Sequence, residues 1–422
     1  MNTTVEGVPE VAARPNTGWA LSALSLAILL PSLATSSANV GLPELSRVFG
    51  LPFRAVQWVV LAYLLTVSAL SVAAGRLGDV AGRRRMLLGG VVVFTAASLI
   101  CAVAPTIALL IAGRALQGVG AALMLALAMA SVSEAVPANR TGSAMGLLGT
   151  MSAVGTALGP TLGGLALAGF GWRAIFLLNI PLGIVAWLLA WRWLPAAPAR
   201  AGTPLLRLAL LRDRALATGF ALSALVMTVM MATLVVGPFY LSGALGLDAA
   251  RVGLVMSCGP IVSALAGLPA GRLVDRMGAR RMTMAGLVLM MAGALALAML
   301  AIEWGIAGYV LALTSLTAGY ALFQAANNTA VMGAARREEK GMVSGLLSLS
   351  RNLGLMAGTA AMGAVFAYGV GTAKVMGAQP PAIADGLHLT FAIGACVVAV
   401  ALALCWVGGE GTVPVRGRSP EA

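Results

Sequence analysis

The chain has 422 residues, of which 60% are hydrophobic and only 10% are charged. This composition lies far outside the range of a soluble globular domain, and uncharged apolar segments long enough to cross a bilayer as a helix recur along it. A net charge of +13 would suggest a nucleic-acid partner in a soluble protein, but the topology of a membrane protein explains it better, and we expect no such partner.

The first half of the chain contains six predicted membrane helices. A polar tail, residues 1–18, precedes them and lacks the basic region of a signal peptide, so we expect the first helix to be retained. A linker follows them at residues 194–214, with three prolines and four arginines. The predicted bounds of helices 1 to 6 are 19–41, 56–74, 86–104, 106–131, 141–167 and 172–193.

The second half repeats the count of six and ends in a polar tail, residues 408–422. The sequence therefore predicts an all-α polytopic membrane protein with 12 transmembrane helices in two pseudo-symmetric six-helix bundles. The bundles cover residues 19–193 and 215–407. The predicted bounds of helices 7 to 12 are 215–241, 249–270, 282–300, 306–333, 342–367 and 385–407.

The basic residues are divided unevenly between the two sides of the membrane. Of the 27 Lys and Arg residues, 20 fall in the tails and in the loops on the side of the tails. Five fall in the opposite loops, and two lie inside helices. Because basic loops stay in the cytoplasm, this bias predicts a multi-pass protein of the bacterial inner membrane with both termini cytoplasmic.

One eleven-residue stretch occurs once in each half. GRLGDVAGRRR (75–85) and GRLVDRMGARR (271–281) agree at seven positions, and a repeat at half the chain length indicates two related halves. Its glycines permit a tight turn, its aspartates can cap the next helix, and its arginines hold the turn in the cytoplasm. The residues expected to control conformational gating are Gly75, Asp79, Gly82, Arg83, Arg84, Gly271, Asp275, Gly278 and Arg280.

Two further motifs accompany the repeat. Helix 4 carries LIAGRALQGVG (110–120), and helix 5 carries GTALGPTLGG (155–164). With these motifs nearly the whole chain resembles the major facilitator superfamily, and within it the drug:proton antiporter branch with 12 transmembrane helices. The resemblance implies two bundles around a central cavity and transport by rocking of one bundle against the other. The helix 5 motif is typical of exporters in this family.

Helix 5 has a physical signature of its own. Gly155, Gly159, Gly163 and Gly164 follow one another along the helix, where small residues let another helix approach closely. Pro160 weakens the backbone ladder beside them. We expect a sliding contact between the bundles; close packing without a gating role is the alternative.

Two arginines, Arg114 in helix 4 and Arg351 in helix 11, fall inside predicted spans. An ionisable residue at the centre of a membrane helix costs about 2.5–3.5 kcal/mol and is a functional hypothesis by default. The resemblance places Arg114 beside the cavity and links it to proton coupling. The alternatives are an Arg114 satisfied by helix carbonyls and an Arg351 that snorkels to the interface.

The chain departs from the family at one position in helix 1. Proton-coupled exporters of this branch usually carry an aspartate five residues before the Asn of an Asn-Val-x-Leu-Pro run. The run is present at 39–43, but Ala34 occupies the aspartate position, and all 14 acidic residues fall in loops, tails or helix ends. A cavity with arginines and no carboxylate favours an anion or a neutral polar solute over a lipophilic cation.

Other polar side chains in or near the spans are candidate substrate or coupling residues. The four cysteines have no metal-ligand spacing, and we expect neither a metal nor another cofactor. The remaining candidates are Asn39, Gln57, Tyr63, Gln117, Gln324, Asn327, Asn328 and Asn352.

These features favour a secondary active transporter. We expect an exporter of a small organic molecule or drug, proton-coupled as the resemblance implies and monomeric in the bilayer. The alternative is a uniporter or exchanger for an anionic or neutral metabolite that uses Arg114 and Arg351. A membrane enzyme would need a catalytic cluster at membrane depth, and a sensor would need a soluble signalling domain; the sequence predicts neither.

Overall fold

The computed structural model describes residues 17–136, 141–195, 213–335, 340–372 and 375–407. Within these ranges every regular element is helical, and 12 helices are long and apolar enough to cross a membrane. The predicted fold class is confirmed. The two tails and most of the linker lie outside the described residues, so the domain boundaries stay a prediction.

The first bundle consists of six spanning helices and two short helices that follow the first of them. The short helices, Leu42–Phe49 and Phe53–Val56, connect α1 to α2. The spanning helices are α1 (Thr17–Val40), α2 (Trp58–Ala81), α3 (Arg83–Val103), α4 (Ile107–Ala135), α5 (Thr141–Phe170) and α6 (Arg173–Trp193).

The second bundle repeats this order. One turn of π-helix ends its first helix at Tyr240–Ala244, and another interrupts its fifth helix at Gly358–Met362. The spanning helices are α7 (Arg214–Ala244), α8 (Ala249–Met277), α9 (Ala279–Ala298), α10 (Gly305–Ala334), α11 (Met342–Val370) and α12 (Pro380–Val407).

The repeated stretch forms a one-residue turn, not a loop. Helices α2 and α8 continue through most of it, so Asp79 and Asp275 lie inside helices. The exposed Asp275 makes no described hydrogen bond to the next helix, so the capping prediction is wrong for Asp275 and stays untested for Asp79. The caps are Gly82 and Gly278, with φ of 92° and 84°, which glycine adopts without steric cost. The Asp79 side chain lies outside the described part of the structure, and Asp275 is exposed.

Arginines of the repeat tie each turn to its own bundle. Arg84 donates a hydrogen bond to the Trp191 carbonyl near the end of α6, and Arg280 donates to the Trp406 carbonyl near the end of α12 at 3.2 Å. Both contacts place a cation where the last carbonyls of a helix lack intrahelical partners. Arg83 pairs with Glu134 of α4 at 3.0 Å. We call the end of the molecule with Gly82 and Gly278 the repeat-turn end, and the other the far end.

Candidate substrate site

Arg114 is fully buried inside the first bundle. Its Nε donates to the Val59 carbonyl of α2 at 2.9 Å, and its Nη1 donates to Gln117 Oε1 at 2.5 Å. The Gln117 amide in turn donates to Ser98 of α3 at 2.7 Å. The guanidinium carbon lies 4.3 Å from the centre of the Tyr63 ring, a cation–π distance. Arg114 therefore joins α2, α3 and α4 in the packed interior.

The other candidates of the first bundle are also buried and bonded to backbone. The Tyr63 hydroxyl donates to the Pro31 carbonyl at 3.1 Å, and Asn39 donates to the Thr35 carbonyl at 2.9 Å. Gln57 differs, because its amide nitrogen crosses to the second bundle and donates to the Thr359 carbonyl of α11 at 2.8 Å. Gln57 thus belongs to a contact between the bundles.

That contact is part of a closed seam at the far end. Phe53 packs edge-on against Phe239 of α7, with ring centres 4.8 Å apart, and its centre lies 5.5 Å from that of Phe366. Across the neighbouring helix pair, Thr161 of α5 hydrogen-bonds Ser257 of α8. Aromatic pairs in this geometry add about 0.5–1.5 kcal/mol beyond the area they bury. The bundles are therefore joined by specific contacts in their far halves.

Toward the repeat-turn end α5 and α8 diverge. Residues three to four apart share a helix face, so Ala264 and Gly267 continue the face of α8 that carries Gly253 and Ser257. Both Ala264 and Gly267 are exposed, and a Cβ added at Gly267 would meet no heavy atom within 4 Å. From these positions we infer a space between the bundles that the described residues close at the far end and leave open at the repeat-turn end.

The glycines of α5 are divided between two neighbours. A Cβ at Gly155 would lie 2.6 Å from the Leu29 carbonyl of α1, and one at Gly163 would lie 3.0 Å from Ser37 Cβ. Gly159 also faces Ser36 of α1. These three glycines therefore pack α5 within its own bundle, which departs from the expected sliding contact.

Only the end of the motif faces the second bundle. A Cβ at Gly164 would lie 2.5 Å from the Ala249 carbonyl of α8, and the Pro160 carbonyl lies against Gly253. The contact between the bundles on this side thus combines a close backbone approach at Pro160 and Gly164 with the Thr161–Ser257 hydrogen bond.

Half-buried polar residues lie together in the second bundle. The side-chain amide of Gln324 in α10 has one orientation that matches the donors and acceptors around it. In that orientation its oxygen accepts hydrogen bonds from Nη2 and Nη1 of Arg351, at 3.1 and 3.2 Å. The Tyr320 hydroxyl lies 3.1 to 3.2 Å from the same amide. Asn328 and Asn352 are also half-buried, whereas Asn327 is buried and donates to the Gly219 carbonyl of α7 at 3.1 Å.

The structure does not bring Arg114 and Arg351 together. Arg114 lies about 10 Å along α4 from the far end, and Arg351 about 14 Å along α11 from the repeat-turn end, at 1.5 Å per residue. The contacts described above bind each arginine to its own bundle. A single charge site built from both, as the alternative function required, is not what the geometry presents.

Sequence reasoning missed several residues of the site. Tyr320 lies four residues before Gln324 on a helix, a spacing that could have identified it. Phe53, Thr359 and Gly253 carry no comparable signal, because their roles depend on which faces of distant helices meet. Among the described residues, no three His, Cys, Asp or Glu side chains are placed to hold a metal ion.

Two six-helix bundles that meet around a polar space define a polytopic helical transporter. A family model described as "Major Facilitator Superfamily" matches residues 24–359 and 216–421, and the chain belongs to this superfamily. It is therefore a transporter and not an enzyme.

Relatives and solved structures agree with this family. The chain is 27% identical to the riboflavin transporter RibZ of Clostridioides difficile, over 82% of this chain and 87% of RibZ. It is 29% identical to the multidrug resistance protein Stp of Mycobacterium tuberculosis, over 82% of this chain and 75% of Stp. The crystal structure of a D-xylose–proton symporter matches the fold with a TM-score of 0.79 at 15% identity, covering 94% of this chain and 99% of that one.

Proposed function

We propose that this transporter exports a small organic molecule from the cytoplasm across the bacterial inner membrane by alternating access. The observation that carries the proposal is the seam at the far end together with the open, polar space at the repeat-turn end. The excess of basic residues at the repeat-turn end supports a cytoplasmic location for that end. A substrate would therefore enter from the cytoplasm. The helix 5 motif and the name of the relative Stp support the direction of transport.

The seam supplies the gate that such a cycle requires. Phe53, Gln57 and Gly164 hold it closed at the far end, and rocking of one bundle would exchange these contacts for contacts at the repeat turns. The pairs formed by Arg84 and Arg280 hold each turn to its own bundle, so each bundle would move as a unit. Gly75 and Gly271 lie in the helical part of the repeat, where a Cβ would meet no heavy atom within 4 Å.

Proton antiport is the coupling that the family resemblance implies, and it forms part of this proposal. Ala34 is buried in α1 at the position where the resemblance expects an aspartate. The repeat-turn ends of α2, α4 and α8 hold Asp79, Glu134 and Asp275, whereas Glu303 just before α10 and Asp385 near the start of α12 lie at the far end. We propose that a coupled proton uses one of these far-end groups.

Transport into inverted membrane vesicles tests the proposal. Ethidium, riboflavin and 2-naphthoate would serve as probes, and we expect ATP-independent uptake of at least one of them into inverted vesicles that contain the protein. Vesicles without the protein are the control. Alkalinisation of the vesicle lumen on addition of the transported probe would support antiport. Accumulation in right-side-out vesicles instead would contradict export.

A carrier for a neutral metabolite is the second candidate. The likeness to a riboflavin transporter favours it, since riboflavin carries no charge near neutral pH. In the same vesicles, riboflavin uptake that follows its own gradient and causes no proton movement would support this candidate over the antiporter.

A further inference from the structure

Tyr320, Gln324 and Arg351, which we call the Arg351 cluster, lie on the surface that faces the space between the bundles. On α10, Asn327 contacts α7 and Gly259 of α8 approaches Thr317, so these residues mark the inward face. At 100° per residue, Tyr320 and Gln324 fall between them on this face. Leu311, on the opposite face, is 74% exposed. The polar side chains of α10 therefore face the interior.

Arg351 has a corresponding position on α11. Gly354 packs against the Ala224 carbonyl of α7, and the Thr359 carbonyl receives Gln57 from the first bundle at the far end. Arg351 lies between these two directions, on the same side as the exposed Ser344 and Ser348. Its guanidinium is thus directed toward the space that opens at the repeat-turn end.

The charge of Arg351 has no carboxylate partner among the described residues. Its described partner is the neutral Gln324, whose oxygen solvates the guanidinium without cancelling its charge. Of the carboxylates in or next to the spanning helices, Glu303 and Asp385 lie near the far end. Asp79, Glu134 and Asp275 lie in the last turns of their helices at the repeat-turn end. An uncompensated cation in a low-dielectric cavity attracts an anion strongly.

We propose that the Arg351 cluster binds the anionic group of an organic anion, and that such anions are the substrates of this transporter. This inference rests on the proposed function. The Gln324 oxygen occupies the edge of the guanidinium formed by Nη1 and Nη2, which leaves the edge formed by Nε–H and the neighbouring Nη N–H. That edge matches a carboxylate in two parallel hydrogen bonds. The Tyr320 hydroxyl adds a third donor.

Binding to the purified full-length protein tests this inference independently of transport. The probes are 2-naphthoate and the uncharged 2-naphthamide, followed by tryptophan fluorescence, and the pair tetraphenylborate and tetraphenylphosphonium, which share a shape and differ in charge. We expect each anion to bind at least tenfold more tightly than its partner. We also expect the preference to fall as salt is added.

Three variants separate charge from folding. Arg351→Gln should weaken 2-naphthoate binding at least tenfold, whereas Arg281→Gln removes an equal charge from an exposed position near the repeat turn and should change it less than twofold. Gln324→Glu keeps the arginine but places a carboxylate against it. We expect this variant to lose 2-naphthoate binding and to gain affinity for tetraphenylphosphonium.

Each outcome decides the inference. Tighter binding of tetraphenylphosphonium by the unaltered protein, or normal 2-naphthoate binding by Gln324→Glu, would overturn it. Should Arg351→Gln fail to fold, the Gln324→Glu result stands alone, because that substitution is nearly isosteric. Uptake of ethidium without anion binding would leave the exporter intact and refute the anion site. Anion binding with no transport in either vesicle orientation would keep the anion site and refute the exporter.

Discussion

Arg114 and Arg351 have opposite environments although both interrupt apolar helices. Arg114 is packed against Val59, Gln117 and the Tyr63 ring, and none of its surface is exposed. Arg351 is half-buried beside a polar space. The sequence identified both as exceptional, since an arginine in a span is costly wherever it lies. It did not distinguish them, because the distinction depends on the helices that pack around each residue.

We expect Arg114→Ala to reduce stability. Loss of the guanidinium leaves the buried Gln117 oxygen without a donor, which costs about 1–3 kcal/mol per unsatisfied group. The apparent Tm, measured by tryptophan fluorescence in detergent, should fall by several degrees. The double variant Arg114→Met with Gln117→Met should recover part of the loss, because replacing both partners with apolar groups is nearly neutral.

An exposed arginine supplies the control for Arg114. Arg281→Ala should change stability by no more than about 0.5 kcal/mol. If Arg114→Ala kept the Tm of the unaltered protein and lost only ligand binding, Arg114 would be a ligand-binding residue and its structural assignment would be refuted.

Within single helices, the glycine positions show which packing contacts the sequence predicts and which it does not. The spacing of Gly155, Gly159 and Gly163 predicts a close approach, but not to which helix. The approach to α1 and the approach of Gly164 to α8 become distinct only when the fold is known. Likewise, the repeat predicts a tight turn but not its length. In the structure the chain reverses direction at Gly82 alone, so most of the repeated stretch is helical.

A matched pair of glycines on α8 tests the seam. A Cβ at Gly253 would overlap the Pro160 carbonyl of α5, and overpacking of this kind costs about 1–3 kcal/mol. Gly253→Ala should therefore favour the state closed at the repeat-turn end by about tenfold. Spin labels at Leu77 and Met277, both 48% exposed, would report this as a shorter distance by double electron–electron resonance.

Gly267→Ala is the control on the same helix. No heavy atom lies within 4 Å of its added Cβ, so the spin-label distances should not change. Equal distance distributions for Gly253→Ala and Gly267→Ala would show that the α5–α8 approach does not hold the far end closed.

For the molecule as a whole, the sequence predicted the number of spans and the internal symmetry correctly. Twelve spans and two related halves follow from apolar length and from an internal repeat, because the bilayer requires every span to satisfy its own backbone. The family followed from the resemblance of the motifs in the repeat, helix 4 and helix 5. The space between the bundles did not follow, since it depends on which helices touch at each end. The sequence named Gln324 and Arg351 as candidate substrate residues, without the arrangement that joins Gln324 to Arg351.

The orientation in the membrane is testable with single cysteines. In a variant lacking Cys101, Cys258, Cys396 and Cys405, Arg54→Cys at the far end should react with an impermeant maleimide in intact spheroplasts. Arg281→Cys at the repeat-turn end should react only after permeabilisation, because the sequence assigns 20 of the 27 basic residues to that side. The reverse labelling pattern would invert the proposed topology.

The unpaired charge of Arg351 has an electrical consequence. In an alternating-access cycle, the empty transporter would carry this positive charge through part of the membrane field, whereas the transporter loaded with a monovalent anion would be neutral there. Each elementary charge that crosses the full field gains or loses about 2.3 kcal/mol per 100 mV. A potential that is negative inside would thus draw the empty carrier back toward the cytoplasm and leave the loaded step unaffected. Voltage alone would then rectify the cycle outward.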